Sequence, residues 1–297
     1  MLESFVVLAV NLLRALGNLW RRLLRRRVDY VRFRLTGPLP EFADAPLWWQ
    51  RRLLGARPPL SLQELRRAFE RVADDPQARG VLLHIEGLQA GWATLQSLRD
   101  ELARLRAAGK RVAAYLVTPD AAGYYTACAA GEILMPPTVF FSVVGLRAEV
   151  QFLKDALAKI GVRAEVTAVS PYKSGGDVFA RADMSPEARE QLERLLDQRF
   201  AELLRAVAEG RRKTVEELRA LIDAAPLSPR AALERGLVDA LRYEDELEAH
   251  FATEDTERTA AERAAVTSPA SPPAVSSVVQ QRRQIILLDW EQARRAL

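Results

Sequence analysis

Three short apolar runs constrain this chain more than any other feature: Gly80–Glu86 (GVLLHIE), Lys110–Val117 (KRVAAYLV) and Glu132–Met135 (EILM). Between the first two, Leu95, Leu98, Leu102 and Leu105 recur at helical spacing over 92–108, and Tyr124–Ala130 supplies a second helical stretch before the third. Strands that are apolar on both faces and separated by helices belong to a parallel sheet, because parallel neighbours need a crossover and the crossover helices cover the sheet. Upstream, VDYVRFRLTG (28–37) alternates apolar and polar as a half-buried strand does, and Ser61-Leu62-Gln63-Glu64 is a capping box opening a helix to about Ala73. Downstream, the pattern predicts a helix over 148–160 and a strand at Val162–Val169 (VRAEVTAV). Ser185-Pro186-Glu187 then opens a helix running to about Glu209, Thr214-Val215-Glu216-Glu217 forms a second capping box, and Ser228-Pro229 starts a short helix ending at Gly236. The expected class is an α/β layered fold with a mostly parallel sheet.

The chain has 297 residues, 49% hydrophobic and 28% charged, enough for one large or two small globular domains. Its net charge of +4 is unevenly placed: residues 1–34 hold eight arginines against Glu3 and Asp29, a local +6 that leaves −2 on the remainder. A body this close to neutral argues against nucleic acid as a partner. Residues 2–20 are apolar but broken by Asn11, Arg14 and Asn18, and Arg21, Arg22, Arg25, Arg26 and Arg27 follow. That pattern suits an N-terminal membrane-associated helix over 1–27, either a poor span or an amphipathic helix lying in the interface with its arginines on anionic headgroups. If it spans, the trailing arginines predict a cytoplasmic body. A globular unit is expected over 28–250, then a linker over 251–280 rich in Ala, Thr, Ser, Pro and charge. Residues 281–297, containing QIILLDWEQARRAL, start a further element or a docking tail.

Little in the sequence offers familiar chemistry. Cys128 is the single cysteine, so no intrachain disulfide forms, and its helical, alanine-rich setting marks it as a small core residue. The only histidines are His84, inside an apolar strand where it should be a satisfied core residue, and His250. So few His and Cys nearly exclude a His/Cys metal site, and a Ser-His-Asp triad would have only His84 to draw on. No GxxxxGK[ST] or GxGxxG is present to cradle phosphate. One loop stands apart: Ser170-Pro171-Tyr172-Lys173-Ser174-Gly175-Gly176-Asp177-Val178-Phe179. A lysine can act as general base for a serine hydroxyl when its amine is neutral, which requires its ordinary pKa of about 10.4 to fall by roughly 3 units through burial among apolar groups. Tyr172, Val178 and Phe179 are candidate walls for such a site, and Gly175 and Gly176 permit a tight turn.

The region from Gly145 to Arg211 resembles the lysine-bearing part of the signal peptide peptidase A (protease IV) family of serine peptidases. It carries, in order, a glycine-containing strand end, a helix ending Lys159-Ile160-Gly161, a strand, Tyr172-Lys173-Ser174, Phe179, and Asp183-Met184-Ser185 before a long helix. Gly236-Leu237-Val238-Asp239 resembles a further element of that family. The resemblance covers roughly residues 28–245 and implies a ClpP/crotonase-like fold, a Ser/Lys dyad with Lys173 as general base, peptide substrates, oligomeric assembly, an extracytoplasmic body, and no cofactor or metal. Two departures bear on activity. Where the family's catalytic halves carry serine in Ala-Ser-Gly-Gly-Tyr-Tyr, this chain has Asp120-Ala121-Ala122-Gly123-Tyr124-Tyr125, with Ala121 at the nucleophile position. The glycine-rich turn that should supply oxyanion donors is here Glu86-Gly87-Leu88-Gln89-Ala90-Gly91. Retained lysine and missing serine resemble the N-terminal half of the long tandem form, which implies a serine-bearing half or subunit of the same family as partner, in a homo- or hetero-oligomer. Ser142 and Ser174 remain as alternative nucleophiles, an inactive peptide-binding scaffold as an alternative function, and a crotonase-like thioester enzyme as a third reading that the altered turn disfavours.

Overall fold

The computed structural model describes residues 28–44, 47–54, 60–266, 285–294 and 297. The expected membrane-associated segment 1–27 and residues 267–280 of the expected linker lie outside them. Six strands form one sheet in the order β5-β4-β3-β2-β1-β6: β1 (Tyr30–Pro38), β2 (Gly80–Gln89), β3 (Arg111–Leu116), β4 (Glu132–Met135), β5 (Ala240–Leu241) and β6 (Leu287–Asp289). Every pairing is parallel. Helices α1 (Trp48–Leu54) and α2 (Leu62–Asp74) connect β1 to β2, α3 (Trp92–Ala107) connects β2 to β3, and α4 (Ala121–Ala127) connects β3 to β4. Then come α5 (Lys154–Lys159), α6 (Asp177–Ala180), α7 (Pro186–Arg211), α8 (Val215–Asp223) and α9 (Pro229–Glu234), with α10 (Leu247–Val266) and α11 (Trp290–Ala293) after β5.

The sheet is covered on both faces, which is why β2 reads as an unbroken apolar run. Val31, Phe33 and Leu35 of β1 and Val81, Leu83 and Ile85 of β2 face a core completed by α2, α3, α4 and α7. All four leucines expected on α3 are buried there. Tyr30, Leu82, Tyr115 and Leu134 face the other way, under Leu247 and Phe251 of α10, where the Tyr30 and Phe251 rings stack at 5.0 Å. Helix starts follow the sequence: the Ser61, Ser185 and Ser228 hydroxyls each accept an N–H from three residues on, and the Thr214–Glu217 box is closed in both directions.

Four expectations are corrected. Val162–Val169 is not a strand; no sheet edge runs beside it to pair its backbone, and Val162, Val166 and Val169 stay exposed. The helix expected over 148–160 is confined to Lys154–Lys159. The linker expected from 251 is helical as far as Val266, because Phe251 and Asp255 are buried against the sheet, Asp255 accepting from the Tyr30 hydroxyl at 2.8 Å. His84 is buried but not satisfied: its Nδ1 has no hydrogen-bond partner, and the nearest carboxylates, Glu244 and Glu86, stand at 3.8 and 3.9 Å. Burial pushes its pKa down, favouring the neutral ring. The described part of the expected tail, from 285, docks on this same unit. Its β6 pairs with β1, Tyr30 opposite Leu287, and Trp290 of α11 stacks on Phe33 at 5.4 Å.

Candidate active site

In open α/β sheets, sites form beyond the carboxyl ends of the strands. Here the loops following β2, β3 and β4 meet at that edge. Asp120 ends the β3 loop and caps α4, its Oδ1 accepting the Gly123 N–H at 2.7 Å. Burial raises the pKa of this carboxyl, against the N–H groups of Gly123 and Ala122 that favour its charge. Gly123 has no room for a side chain: a Cβ there would lie 3.2 Å from both Ile85 and Leu116. Tyr124 donates its hydroxyl to the Leu237 carbonyl at 2.8 Å and meets Phe141 edge-on at 4.7 Å. Ala121 is thus the half-buried first residue of a helix held on every side, with a methyl group where the chemistry would call for a hydroxyl.

Ser142 is brought to the same edge. Its N–H donates to the Pro119 carbonyl at 3.2 Å, while neighbouring Phe141 exchanges two backbone hydrogen bonds with Leu227. Its hydroxyl is exposed and donates to the Phe140 carbonyl at 3.2 Å. The β2 turn contributes Gly87 in a left-handed conformation at φ +61, and a register shift between Thr36 and Gly37 lets Leu39 donate to the Gln89 carbonyl at 2.8 Å.

Lys173 sits elsewhere, on a flap of irregular chain between β4 and α7. It precedes the short 3-10 turn Ser174–Gly176, and its N–H donates to the Ser170 carbonyl at 2.9 Å. Gly176 answers for one of the two glycines: a Cβ there would lie 2.3 Å from Val166 Cγ1, so only glycine lets the two segments of the flap close. The apolar walls expected around the lysine are not in place. Lys173 is exposed, Phe179 and Tyr172 are about half exposed, and the Tyr172 hydroxyl donates to Glu190 at 3.2 Å. Ser174 borders an apolar groove of about 280 Å³ walled by Val150, Phe152, Val178, Met184, Leu192 and Leu195. Among the described residues, no hydrogen bond or ion pair ties the 170–184 loop to the 119–142 edge: Ala121 and Ser142 both belong to that edge, Lys173 to the loop.

Sequence reasoning passed over two polar clusters. Glu202 of α7 accepts from Trp92 Nε1 at 2.6 Å and from the Tyr125 hydroxyl at 3.2 Å, fixing the second tyrosine of the Gly-Tyr-Tyr motif. Its only sequence signal was a glutamate among many on a helix. At the opposite end of the sheet, Glu132, His250 and Glu254 gather their ligand atoms within 4.8 Å, a carboxylate-rich arrangement that counting His and Cys could not reveal. The Arg111 guanidinium pairs with both carboxylates and supplies there the positive charge a cation would bring. Burial alone would raise the Glu132 pKa, but hydrogen bonds from His250 and Arg111 hold it low. The cluster ties α10 to the start of β4.

The fold is a parallel α/β layer, and comparison with known proteins supplies the class. The profile of peptidase family S49 matches residues 104–257, more than half of the chain, and the protein belongs to that family. It is 31% identical to the Serine protease SPPA, chloroplastic, of Arabidopsis thaliana over 188 residues, 63% of this chain and 28% of that one. It is 30% identical to Protease 4 of Haemophilus influenzae over 183 residues, 60% of this chain and 30% of the relative. With Protease 4 of Salmonella typhi the identity is 25% over 168 residues, 56% of this chain and 27% of the other. The matched region therefore spans less than a third of these relatives.

Proposed function

We propose that this chain is the lysine-bearing half or subunit of a Ser/Lys peptidase, acting on signal peptides and other extended apolar peptides at a membrane. The observation that carries the reading is an incomplete site beside an uncovered surface: alanine at residue 121, and Lys173 on a flap rich in exposed apolar side chains. Val169 is 91% exposed, Ile160 73% and Phe140 60%. Large apolar side chains left this exposed are what an interaction site supplies. A second S49 half lying on the flap would bury Lys173 among apolar groups, disfavouring the charged amine, and would bring a serine of its own. Lys173 makes no ion pair among the described residues, so no carboxylate stands between it and a partner.

In that assembly the neutral Lys173 amine takes the proton from the partner's serine Oγ as Oγ bonds to the scissile carbonyl carbon. Backbone N–H groups at the strand ends stabilise the resulting oxyanion. The lysine then returns its proton to the departing amine as the C–N bond breaks, and water repeats the sequence on the ester. The groove beside Ser174 suits one apolar side chain of a peptide bound in extended form. Residues 1–27 would hold the assembly at the membrane.

The test is reconstitution. The purified chain is labelled with a fluorophosphonate and mapped, then mixed with a serine-bearing S49 half and assayed on an apolar peptide. The expected result is no label alone, and turnover with the partner that disappears in Lys173→Ala. Turnover undiminished in Lys173→Ala sinks the assignment. Ala121 itself favours a second reading, an inactive scaffold, which predicts partner and peptide binding with no Lys173-dependent turnover.

A further inference from the structure

One exposed apolar patch lies outside the flap. Between β1 and α2 the chain exposes Phe42, Leu47, Trp48, Trp49 and Leu53, with Trp48 at 76% and Trp49 at 40%. Two adjacent tryptophans on a seven-residue helix that leave this much ring surface uncovered among the described residues mark an interaction site. The helix itself is basic: WWQRRLL carries Arg51 and Arg52 and no acid, while Glu41 and Asp44 flank Phe42 on the approach to it. Tryptophan with arginine is the composition of a segment that sits at a lipid–water boundary, where the ring occupies the headgroup level and the guanidinium meets anionic phosphate.

We infer that the Trp48–Leu53 segment is a second membrane contact, inserting its tryptophans into the interface of an anionic bilayer. The inference rests on the membrane attachment in the proposed function and deepens it. One weak interfacial anchor holds a protein only marginally, whereas two hold it stably.

The experiment uses the full chain and vesicles of phosphatidylcholine with phosphatidylglycerol, with and without brominated acyl chains. Trp20→Phe removes the one tryptophan of the N-terminal segment; Trp92 and Trp290 are packed in the protein. Brominated lipid is expected to quench emission from Trp20→Phe, and Trp48→Ser/Trp49→Ser is expected to reduce flotation about tenfold or more, since loss of even one large apolar contact is worth about that factor. Circular dichroism and the sedimentation coefficient of the lipid-free double variant should be unchanged. Absent quenching, or flotation indifferent to the double substitution, overturns the inference. So does a change of mass in the lipid-free double variant, which would make the patch a protein–protein interface. No peptidase readout is involved and Lys173→Ala should float like the parent. A parent that does not float defeats the membrane part of the proposed function as well, whereas flotation independent of the tryptophans defeats this inference alone.

Discussion

Lys173 and Ala121 make separate demands on experiment. In an assembly with a serine-bearing half, Lys173→Ala should lower kcat by about 10³-fold while leaving the circular dichroism of the chain unchanged, the size expected for loss of a general base. Ala121→Ser in the isolated chain should gain no fluorophosphonate label, because nothing in the structure places a base beside it; labelling there would show that the chain can complete its own dyad. The lysine loop was legible in the sequence because a lysine between Tyr172, Ser174 and two glycines is an odd composition for a surface turn. Its exposure was not legible, since apolar neighbours in sequence such as Tyr172 and Phe179 need not fold over it, and here both stay about half exposed. Ser142 was legible only by position. What anchors it, the Pro119 carbonyl and the Phe141–Leu227 pair, joins residues distant in sequence. His84 shows the same limit: strand placement was readable, an orphaned Nδ1 was not.

At the scale of elements, most capped helices and apolar strands were read to within about three residues because their signals are local, although the helix expected at Tyr124–Ala130 runs instead from Ala121 to Ala127, opened by the Asp120 cap. Val162–Val169 was misread because alternation reports a side-chain pattern, while a strand also needs a neighbour. The Gly236–Asp239 element, visible as a family signature, has a structural explanation. Gly236 takes φ +68, which only glycine adopts without strain. Asp239 receives both Nη groups of Arg211, at 2.7 and 2.8 Å, and the Ile133 N–H at 2.7 Å, so it locks the end of α7 to β4. Burial would raise the Asp239 pKa, but these hydrogen bonds hold it below the ordinary value. Its stabilising contribution is therefore present above the unfolded-state pKa, near 4, and is lost as pH falls through the folded value. Asp239→Asn should lower stability at pH 7 by about 2 kcal/mol and flatten the acid limb of a Tm-against-pH curve. An unchanged acid limb would reassign that limb to other carboxylates.

Across the whole molecule, the parallel sheet supplies stability and the flap supplies an exposed surface that the isolated chain does not use. Ile160→Asp and Val169→Asp should leave the Tm of the free chain within about 1 °C, because surface substitutions cost little. The same changes should weaken association with a serine-bearing half, read by sedimentation, at least tenfold, since each puts a charge into a buried contact. Equal association by parent and variants would move the interface elsewhere.

The return of β6 to the side of β1 has a consequence for how the protein comes to be made. Tyr30 and Leu287 are neighbours in space but separated by nearly the whole chain. While the polypeptide is still emerging from the ribosome, β1 can pair with β2 yet keeps its other flank open, presenting unsatisfied N–H and C=O groups to any strand that arrives first. Residues 287–289 cover the Tyr30–Arg32 part of that flank only after the other five strands have emerged. A product ended at residue 284 should fold its core and then aggregate through β1, and a short peptide spanning 285–294 supplied in trans should rescue it.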